Sequence, residues 1–144
     1  MATPLFADPF VLATAGGRQL VEPVALKSLR PQDILLLEEG HCFRDQAIDA
    51  CALSKAETAN AFSATSLSTI VEFVANDQGV TLLPAISLKK EGSNPRIAIH
   101  TLAAPGASRL LRLAWRRTSP FSDLFEHIAR IIRVEGQKGL ERAL

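Results

Sequence analysis

The sequence predicts an α/β domain with a largely parallel sheet, and three observations lead to this prediction. The chain has 144 residues, which suits one ordinary domain or two small lobes. Hydrophobic residues make up 47% of the chain and charged residues 22%, which is typical of a globular protein rather than a disordered one. Short apolar runs alternate along the chain with segments of helical periodicity, as they do where helices connect the strands of a sheet.

The first half of the chain is predicted to hold two strands and a helix. Residues 9–15 are mostly apolar and end at a pair of glycines, as a strand does. Residues 34–37 form a continuous apolar run bounded by charge, which indicates a strand buried on both faces. Between them, residues 22–29 could hold a short helical turn. Gly40 then interrupts the chain, and residues 41–53 are predicted to form a helix.

The second half contains the strongest helical pattern. Apolar residues recur at i, i+3, i+4 and i+7 after Thr65 or Ser66, either of which would serve as the N-cap, and Gly79 lies near the expected end. The repeating residues are Leu67, Ile70, Val71 and Val74. Further strands are predicted at residues 80–83, 96–100 and 110–115, a loop at residues 89–95, and an amphipathic helix at residues 121–134.

Charge and hydropathy exclude some classes of function. The formal net charge is +1, so there is no overall electrostatic case for binding nucleic acid. A late group of arginines is more typical of a solvated face than of a DNA-binding surface: Arg109, Arg112, Arg116 and Arg117. No window approaches the roughly 18 apolar residues of a membrane span. The N-terminus lacks the basic region of a signal peptide. We therefore expect a cytoplasmic protein, whose thiols are normally reduced.

Cys42 has the sequence environment of a reactive thiol. It follows a predicted buried strand and begins a predicted helix, where free backbone N–H groups and the helix dipole stabilise an anion. His41 and Arg44 can add positive charge, and together these conditions favour the thiolate, which peroxide attacks to give a sulfenic acid. Three carboxylates nearby oppose this effect: Glu38, Glu39 and Asp45.

Cys51 is the natural partner of Cys42, but a continuous helix would keep the two apart. Nine residues of helix correspond to about 13.5 Å of rise and roughly 180° of rotation. A disulfide needs Cα atoms within about 7 Å of each other. A bond between these cysteines therefore requires the helix to unwind, so that oxidation would be coupled to local refolding.

The residues alone leave other interpretations open. Both cysteines could be buried thiols without a function, because cysteine is among the most buried residue types. The case for a metal site is weaker. Only His41 and the two cysteines could act as ligands within this segment, and their spacing matches no zinc pattern. His100 and His127 lie in other elements. The case for a cysteine hydrolase is also weak, because His41 is adjacent to Cys42 in sequence and no known nucleophile motif surrounds the pair.

Several sequence blocks together resemble the regulatory domain of OxyR, the hydrogen-peroxide-sensing LysR-type transcription activators. These are residues 35–47 (LLLEEGHCFRDQA), Cys51, residues 62–67 (FSATSL) and residues 79–84 (GVTLLP). The G-H-C-x-R-D-Q block with a second cysteine nine residues after the first is specific to that family. The last two blocks alone would indicate only a LysR-type effector domain. The resemblance runs nearly from end to end, although position 61 is Ala where some members have a polar residue.

The resemblance implies a periplasmic-binding-protein-like fold, in which two α/β lobes are joined by crossover strands. Residues 6–108 would form one complete lobe, regulatory subdomain II, which carries the redox site. Residues 109–144 would form the C-terminal, returning part of regulatory subdomain I. By the same resemblance, we expect the family's winged helix-turn-helix, its linker helix and half of the first lobe to have no counterpart among these residues. We therefore expect exposed apolar surface on the helix around residues 121–132 and self-association of the isolated chain.

The resemblance also assigns roles to individual residues. By analogy, Cys42 is the peroxidatic cysteine and Cys51 the resolving one. The other positions that match the family's pocket or cleft are His41, Arg44, Asp45, Thr65, Ser66 and Arg109, of which Arg109 falls on an arginine that helps to hold the peroxidatic cysteine. No metal or cofactor is expected. The implied partners are hydrogen peroxide and further copies of the chain. DNA and RNA polymerase would be contacted only by a full-length assembly, and no contact with a membrane is expected.

Three functions compete at this point, and the resemblance favours a regulator rather than an enzyme. A peroxide sensor would form a Cys42–Cys51 disulfide with stoichiometric peroxide. A LysR-type lobe that binds a small metabolite would instead be stabilised by an organic anion and would show slow, unselective alkylation of Cys42. A small thiol peroxidase would turn over in the presence of a reductant.

Overall fold

The computed structural model describes residues 1–59 and 62–144 and contains six strands and five α-helices within them. The strands are β1 (Ala2–Ala15), β2 (Leu36–Leu37), β3 (Ser63–Ala64), β4 (Thr81–Pro84), β5 (Ile97–His100) and β6 (Ser108–Ala114). The helices are α1 (Cys42–Ala50), α2 (Lys55–Ala59), α3 (Leu67–Ala75), α4 (Leu88–Glu91) and α5 (Ser122–Ala143). Short 3₁₀ turns at Leu26–Ser28, Pro31–Asp33 and Ala85–Ser87 complete the order. The mixture agrees with the predicted α/β class.

Strand β1 links two parts of the fold, because its two halves have different partners. Its first half pairs with β6, from Ala2 opposite Ala114 to Pro9 opposite Ser108. Its second half lies between β4 and β5. The sequence predicted only residues 9–15 as a strand. The prolines of the first half, which cannot donate to a neighbouring strand, concealed it.

The prediction of a largely parallel sheet is wrong for the long strand. All three neighbours of β1 run antiparallel to it. Parallel pairing is found between β2 and β3 and at the single bridges of Ile34 with Val80 and Val24 with Leu102. A continuous apolar run indicates that both faces of a strand are buried, but it does not indicate whether the neighbouring strand runs parallel or antiparallel.

The core lies on both faces of the inner half of β1. On one face Val11 and Ala13 pack against apolar residues of α3, namely Ile70, Val71 and Val74. On the other face Phe10 and Leu12 pack with residues that include Val24, Ile34, Leu36 and Ala47. Helices α3 and α1 therefore cover opposite faces of the sheet, and the two-sided burial predicted for residues 34–37 is confirmed.

The boundaries of the helices differ from the predictions at several points. Helix α5 has 22 residues and continues beyond residue 134, because Leu140 is buried beside Phe6 after the regular apolar pattern has ended. Helix α4 lies partly in the segment predicted as a loop, and α2 and β3 are too short to leave a periodic signal. The predicted turn before residue 29 is a 3₁₀ turn, and Ser66 is the N-cap of α3.

Helix α5 presents apolar side chains to solvent, as the sequence led us to expect. Leu124, Ile131 and Val134 are 53%, 52% and 52% exposed, and Phe121 just before the helix is 60% exposed. The opposite side of the helix packs on β1, where Ala129 and Leu140 are buried. None of the described helices is sufficiently long and apolar to cross a membrane.

Candidate redox site

Helix α1 carries one cysteine at each end. Cys42 is its first residue and is exposed, whereas Cys51 is its C-cap and is partly buried. The backbone N–H of Cys51 donates to the carbonyl oxygens of Ala47 and Asp49, so the helix is continuous up to that point. Both cysteines are free thiols. Nine residues of helix separate them by about 13.5 Å, so the predicted obstacle to a disulfide is present in this structure.

The ends of α1 are held weakly by local interactions. His41 is the N-cap, but its side chain makes no capping hydrogen bond. Beyond the other end Ala52 has φ 51°, a left-handed conformation that costs an alanine more than a glycine. The side-chain oxygen of Gln46 is buried without a hydrogen-bond partner among the described residues. Tertiary packing, through buried Arg44 and Ala47, therefore contributes most to keeping α1 folded.

The environment of Cys51 makes it a poor nucleophile in this conformation. Burial raises the pKa of its thiol from 9.0 to about 11. At neutral pH the thiol therefore stays protonated, and only the thiolate attacks a sulfenic acid or a disulfide efficiently. Unwinding of α1 would remove two obstacles at once, since it would bring Cys51 closer to Cys42 and would also expose the thiol to water.

Arg44 points away from the side of α1 that carries Cys42. Its Nη1 donates to the carbonyl oxygen of Leu37 at 2.8 Å, and the side chain is buried. Residues two positions apart on a helix differ by roughly 200° in direction. Arg44 therefore ties α1 to the end of β2. His41 and Asp45 are both exposed, and Asp45 lies in the first turn, where a negative charge stabilises the helix dipole.

The two groups of predicted site residues come together through the topology of β2 and β3. These strands are parallel, with Leu37 opposite Ala64, and the N–H of Glu38 donates to the carbonyl oxygen of Ala64. Helices α1 and α3 therefore both begin at the same edge of this pair, and such edges are common ligand-binding positions. Thr65 and Ser66 are exposed at the start of α3, where the Ser66 hydroxyl accepts a hydrogen bond from the backbone N–H of Thr69.

Arg109 reaches α1 through an aromatic ring. Its Nε donates to Oδ2 of Asp8 at 3.0 Å, and its Cζ lies 5.6 Å from the centroid of the Phe43 ring. Phe43 directly follows Cys42 in α1. Asp8 is fully buried and also accepts, through Oδ1, a hydrogen bond from the backbone N–H of Ile86 at 3.0 Å. Asp8 and Phe43 were not among the predicted site residues. The one available signal for Asp8 was a carboxylate next to the apolar run of residues 9–15.

The histidines do not form a metal centre in the described part of the chain. No group of three or more His, Cys, Asp or Glu side chains in residues 1–59 and 62–144 is arranged to hold a metal ion. His100 is buried, where its Nε2 lies 2.9 Å from Oγ1 of Thr14 and its Nδ1 lies 2.8 Å from Oε1 of Glu22. The first contact joins β1 to β5, and the second attaches the loop after β1 to β5. Position 61, noted in the sequence, lies outside the described residues.

Comparison with known proteins shows the family of this chain. Residues 1–136 match the model of the LysR substrate binding domain family. The chain is 36% identical over 140 residues to a hydrogen peroxide-inducible genes activator of Pectobacterium carotovorum subsp. carotovorum, covering 96% of this chain and 46% of that protein. It is 33% identical over 143 residues to the DNA-binding transcriptional dual regulator OxyR of Escherichia coli (strain K12), covering 98% and 47%. The chain thus spans about half the length of these relatives.

A solved structure shows the same fold. The hydrogen-peroxide-bound structure of an OxyR cysteine variant from Corynebacterium glutamicum superposes with a TM-score of 0.86 at 27% identity, covering 99% of this chain and 47% of that one. The expected periplasmic-binding-protein-like regulatory fold is thereby confirmed. The chain belongs to the LysR substrate binding domain family, and it is similar within that family to OxyR-type hydrogen peroxide-inducible activators.

Proposed function

We propose that this chain is the redox-sensing part of a LysR-type transcription regulator, in which hydrogen peroxide oxidises Cys42 and Cys51 resolves the product as an intramolecular disulfide. The observation that carries the proposal is the placement of the two thiols at opposite ends of one weakly capped helix, with Cys42 exposed and Cys51 partly buried. Such a pair cannot react without a conformational change, which is what a sensor requires.

The chemistry needs no reactant beyond peroxide. The Cys42 thiolate attacks one oxygen of hydrogen peroxide, the O–O bond breaks, and the departing hydroxide takes a proton to become water. Cys42 is then a sulfenic acid. The sulfur of Cys51 attacks the sulfenic sulfur, the S–O bond breaks, and a second water leaves as the disulfide forms. Two thiols are oxidised and one peroxide is reduced to two waters.

The order of the steps follows from exposure and ionisation. Cys42 is accessible in the reduced fold, so it reacts first. Cys51 is partly buried, and its pKa of about 11 keeps it protonated until α1 opens. Opening is therefore part of the resolving step, and closing the disulfide prevents α1 from reforming. The oxidised chain must differ from the reduced chain in the region of residues 41–53.

The remaining predicted site residues have proposed roles around this helix. His41 and Asp45 are exposed at the start of α1 and would contact peroxide or its leaving group, while Arg44 would anchor the helix to β2 through Leu37. Thr65 and Ser66 would line the neighbouring cleft at the shared edge of β2 and β3. Arg109 would act on the site through Phe43, which follows Cys42.

The proposed division into residues 6–108 and 109–144 places α1 in the first unit and most of β6 and all of α5 in the second. Strand β1 pairs with elements of both, so it is the physical link between them. In a full-length protein, refolding around α1 would change the arrangement of the dimer or tetramer and, through it, transcription activation. DNA and RNA polymerase would be contacted by that assembly. The response is stoichiometric, as befits a regulator rather than an enzyme.

Peroxide oxidation of the reduced chain tests the proposal. We expect one equivalent of hydrogen peroxide to remove two hydrogen atoms from the intact mass and to give a Cys42–Cys51 cross-linked peptide on nonreducing digestion. In the Cys51→Ser variant the reaction should stop at a sulfenic acid on Cys42 that dimedone traps. The Cys42→Ser variant should react with peroxide much more slowly than the parent chain. The proposal fails if both thiols stay reduced, or if Cys42 is over-oxidised while Cys51 remains a thiol.

A second candidate is a LysR-type lobe that binds a small metabolite without redox switching. The exposed hydroxyl residues Thr65 and Ser66 at the start of α3 favour it. An organic anion that raises the melting temperature of the chain, without any disulfide after peroxide treatment, would support this candidate. Repeated consumption of peroxide in the presence of a thiol reductant would instead indicate a thiol peroxidase.

A further inference from the structure

Asp8 is a fully buried carboxylate outside the cysteine segment. It accepts two hydrogen bonds, from Nε of Arg109 at 3.0 Å and from the backbone N–H of Ile86 at 3.0 Å. The β1–β6 register places Asp8 directly opposite Arg109. Since an ionised carboxylate in a buried site requires compensation by charge and hydrogen bonds, this arrangement holds Arg109 in one position.

The position in which Arg109 is held lies over α1. Its guanidinium carbon is 5.6 Å from the centre of the Phe43 ring, which is within the range of a cation–π interaction. The same ring contacts Phe10 edge to face, with centroids 5.2 Å apart and planes at 90°. Asp8 and Phe10 lie two residues apart on β1 and so face the same side. One face of β1 thus supports the Phe43 ring both directly and through Arg109.

The Phe43 ring must leave this support when α1 opens at its first turn. Cys42 and Phe43 are the first two residues of the helix, so unwinding that moves Cys42 toward Cys51 also moves Phe43. The ends of α1 provide little resistance, because His41 makes no side-chain cap and Ala52 is left-handed. The contacts of Phe43 therefore contribute to the free energy of opening.

We propose that Asp8 is a positioning residue for the redox site, which holds Arg109 over Phe43 and thereby sets how readily α1 opens. This deepens the proposed function, since the same opening would precede the disulfide. Asp8 never touches the cysteines or peroxide. Its removal should weaken the reduced conformation of α1 and shift the equilibrium between dithiol and disulfide toward the disulfide.

Labelling of Cys51 measures the opening without requiring any disulfide. In a Cys42→Ser background, a neutral alkylating reagent would modify Cys51 only when α1 opens, and its rate relative to that in denaturant gives the opening equilibrium. We expect Asp8→Asn to increase the rate of Cys51 labelling by about threefold to tenfold. This is the size of effect expected when Arg109 is released and its cation–π contact with Phe43 is lost. Asparagine retains an oxygen for the N–H of Ile86, so that contact is preserved.

A double-mutant cycle distinguishes positioning from general destabilisation. If Asp8 acts through Arg109, then Asp8→Asn should have little further effect on Cys51 labelling in an Arg109→Gln background. Phe43→Leu should likewise reduce the effect. Denaturant unfolding of each variant gives its global free energy of unfolding, and labelling reports local opening where Cys51 reacts faster than global unfolding alone would allow. Equal labelling of the parent and Asp8→Asn, or the same increase in the Arg109→Gln background, would overturn the proposal.

The redox readout then links this result to the proposed function. With both cysteines present, equilibration with reduced and oxidised glutathione should show that Asp8→Asn favours the Cys42–Cys51 disulfide by a factor similar to that found by labelling. Here the oxidant is glutathione disulfide, which becomes two glutathione thiols as the protein disulfide forms. Absence of a protein disulfide in every variant would refute the proposed function, whereas the labelling result would still decide the role of Asp8.

Discussion

Cys42 and Cys51 occupy the first position and the C-cap of the same helix, so a single structural element controls both their separation and their reactivity. Nine residues of helix place their Cα atoms about 13.5 Å apart along the helix axis, well beyond the Cα distance that a disulfide tolerates. It also helps to bury Cys51, and this burial raises the pKa of Cys51 to about 11. The separation of the two cysteines and the ionisation of the Cys51 thiol therefore change together when α1 opens, which makes disulfide formation a cooperative step.

The two thiols should differ strongly in alkylation rate. At neutral pH we expect iodoacetamide to modify exposed Cys42 first, while Cys51 reacts slowly until the chain is unfolded. The Cys51 rate should rise with pH up to about 11, following its raised pKa. Peptide mapping of samples quenched over time provides the measurement, and Cys42→Ser and Cys51→Ser identify each signal. Equal rates for the two thiols in the native chain would contradict the burial of Cys51.

Burial of Cys51 should also make the stability of the chain depend on alkaline pH. Below about pH 9 the thiol is protonated in both the folded and the unfolded state. As the pH rises from 9.0 toward 11, the unfolded chain loses the proton while the folded chain retains it, so the free energy of unfolding falls. Denaturant titrations near pH 8 and pH 10.5 measure this loss. It should be smaller in Cys51→Ala, and the lack of tyrosine removes one competing titration. An unchanged loss in the variant would contradict this assignment.

The end of α1 offers a matched test of whether helix stability controls the disulfide. Ala52→Gly relieves the left-handed alanine after the helix and should stabilise the reduced form by about 1 kcal/mol. Ala50→Gly, at the last helical position, should destabilise it by about 0.5–1 kcal/mol. If the disulfide requires an open α1, glutathione equilibration should favour the dithiol in the first variant and the disulfide in the second. Shifts in the same direction would argue against the coupling.

Two glycines of α5 should respond oppositely to the same substitution. A Cβ on Gly136 would collide with the ring of Phe6, whereas a Cβ on Gly139 would meet nothing within 4 Å. We expect Gly136→Ala to lower the free energy of unfolding by about 1–3 kcal/mol through overpacking. Gly139→Ala should raise it by about 0.5–1 kcal/mol through its better helix propensity. Thermal or denaturant unfolding measures both. Equal effects would show that Phe6 does not pack against this helix.

The exposed apolar side chains of α5 should cause the isolated chain to self-associate. Leu124 and Ile131 are seven residues apart, on one side of the helix, and both are more than half exposed. Lysine at both positions should reduce the average mass measured by light scattering at high protein concentration. Glu126→Lys changes charge without removing an apolar side chain and serves as the control. A parent chain that remains a monodisperse monomer over the whole concentration range would refute this expectation.

The sequence determined the features that depend on residues close together in the chain. The apolar repeat of residues 67–74 predicted α3 and narrowed its N-cap to Thr65 or Ser66, since helix signals lie within a few turns. The block around Cys42 and the nine-residue interval to Cys51 predicted two thiols on one helix, because helical geometry converts an interval into a distance and a direction. The same block indicated the family, which the comparisons confirmed.

Only the tertiary structure decided the features that depend on distant residues. The antiparallel neighbours of β1 could not be predicted, since burial of an apolar run does not reveal the direction of its partners. The contact of Asp8 with Arg109 joins residues separated by 101 positions, and the packing of Phe6 on Gly136 joins the two ends of the chain. The raised pKa of Cys51 likewise comes from burial. Sequence could specify where the thiols stand on their helix, but only folding could supply the surroundings that control when that helix opens.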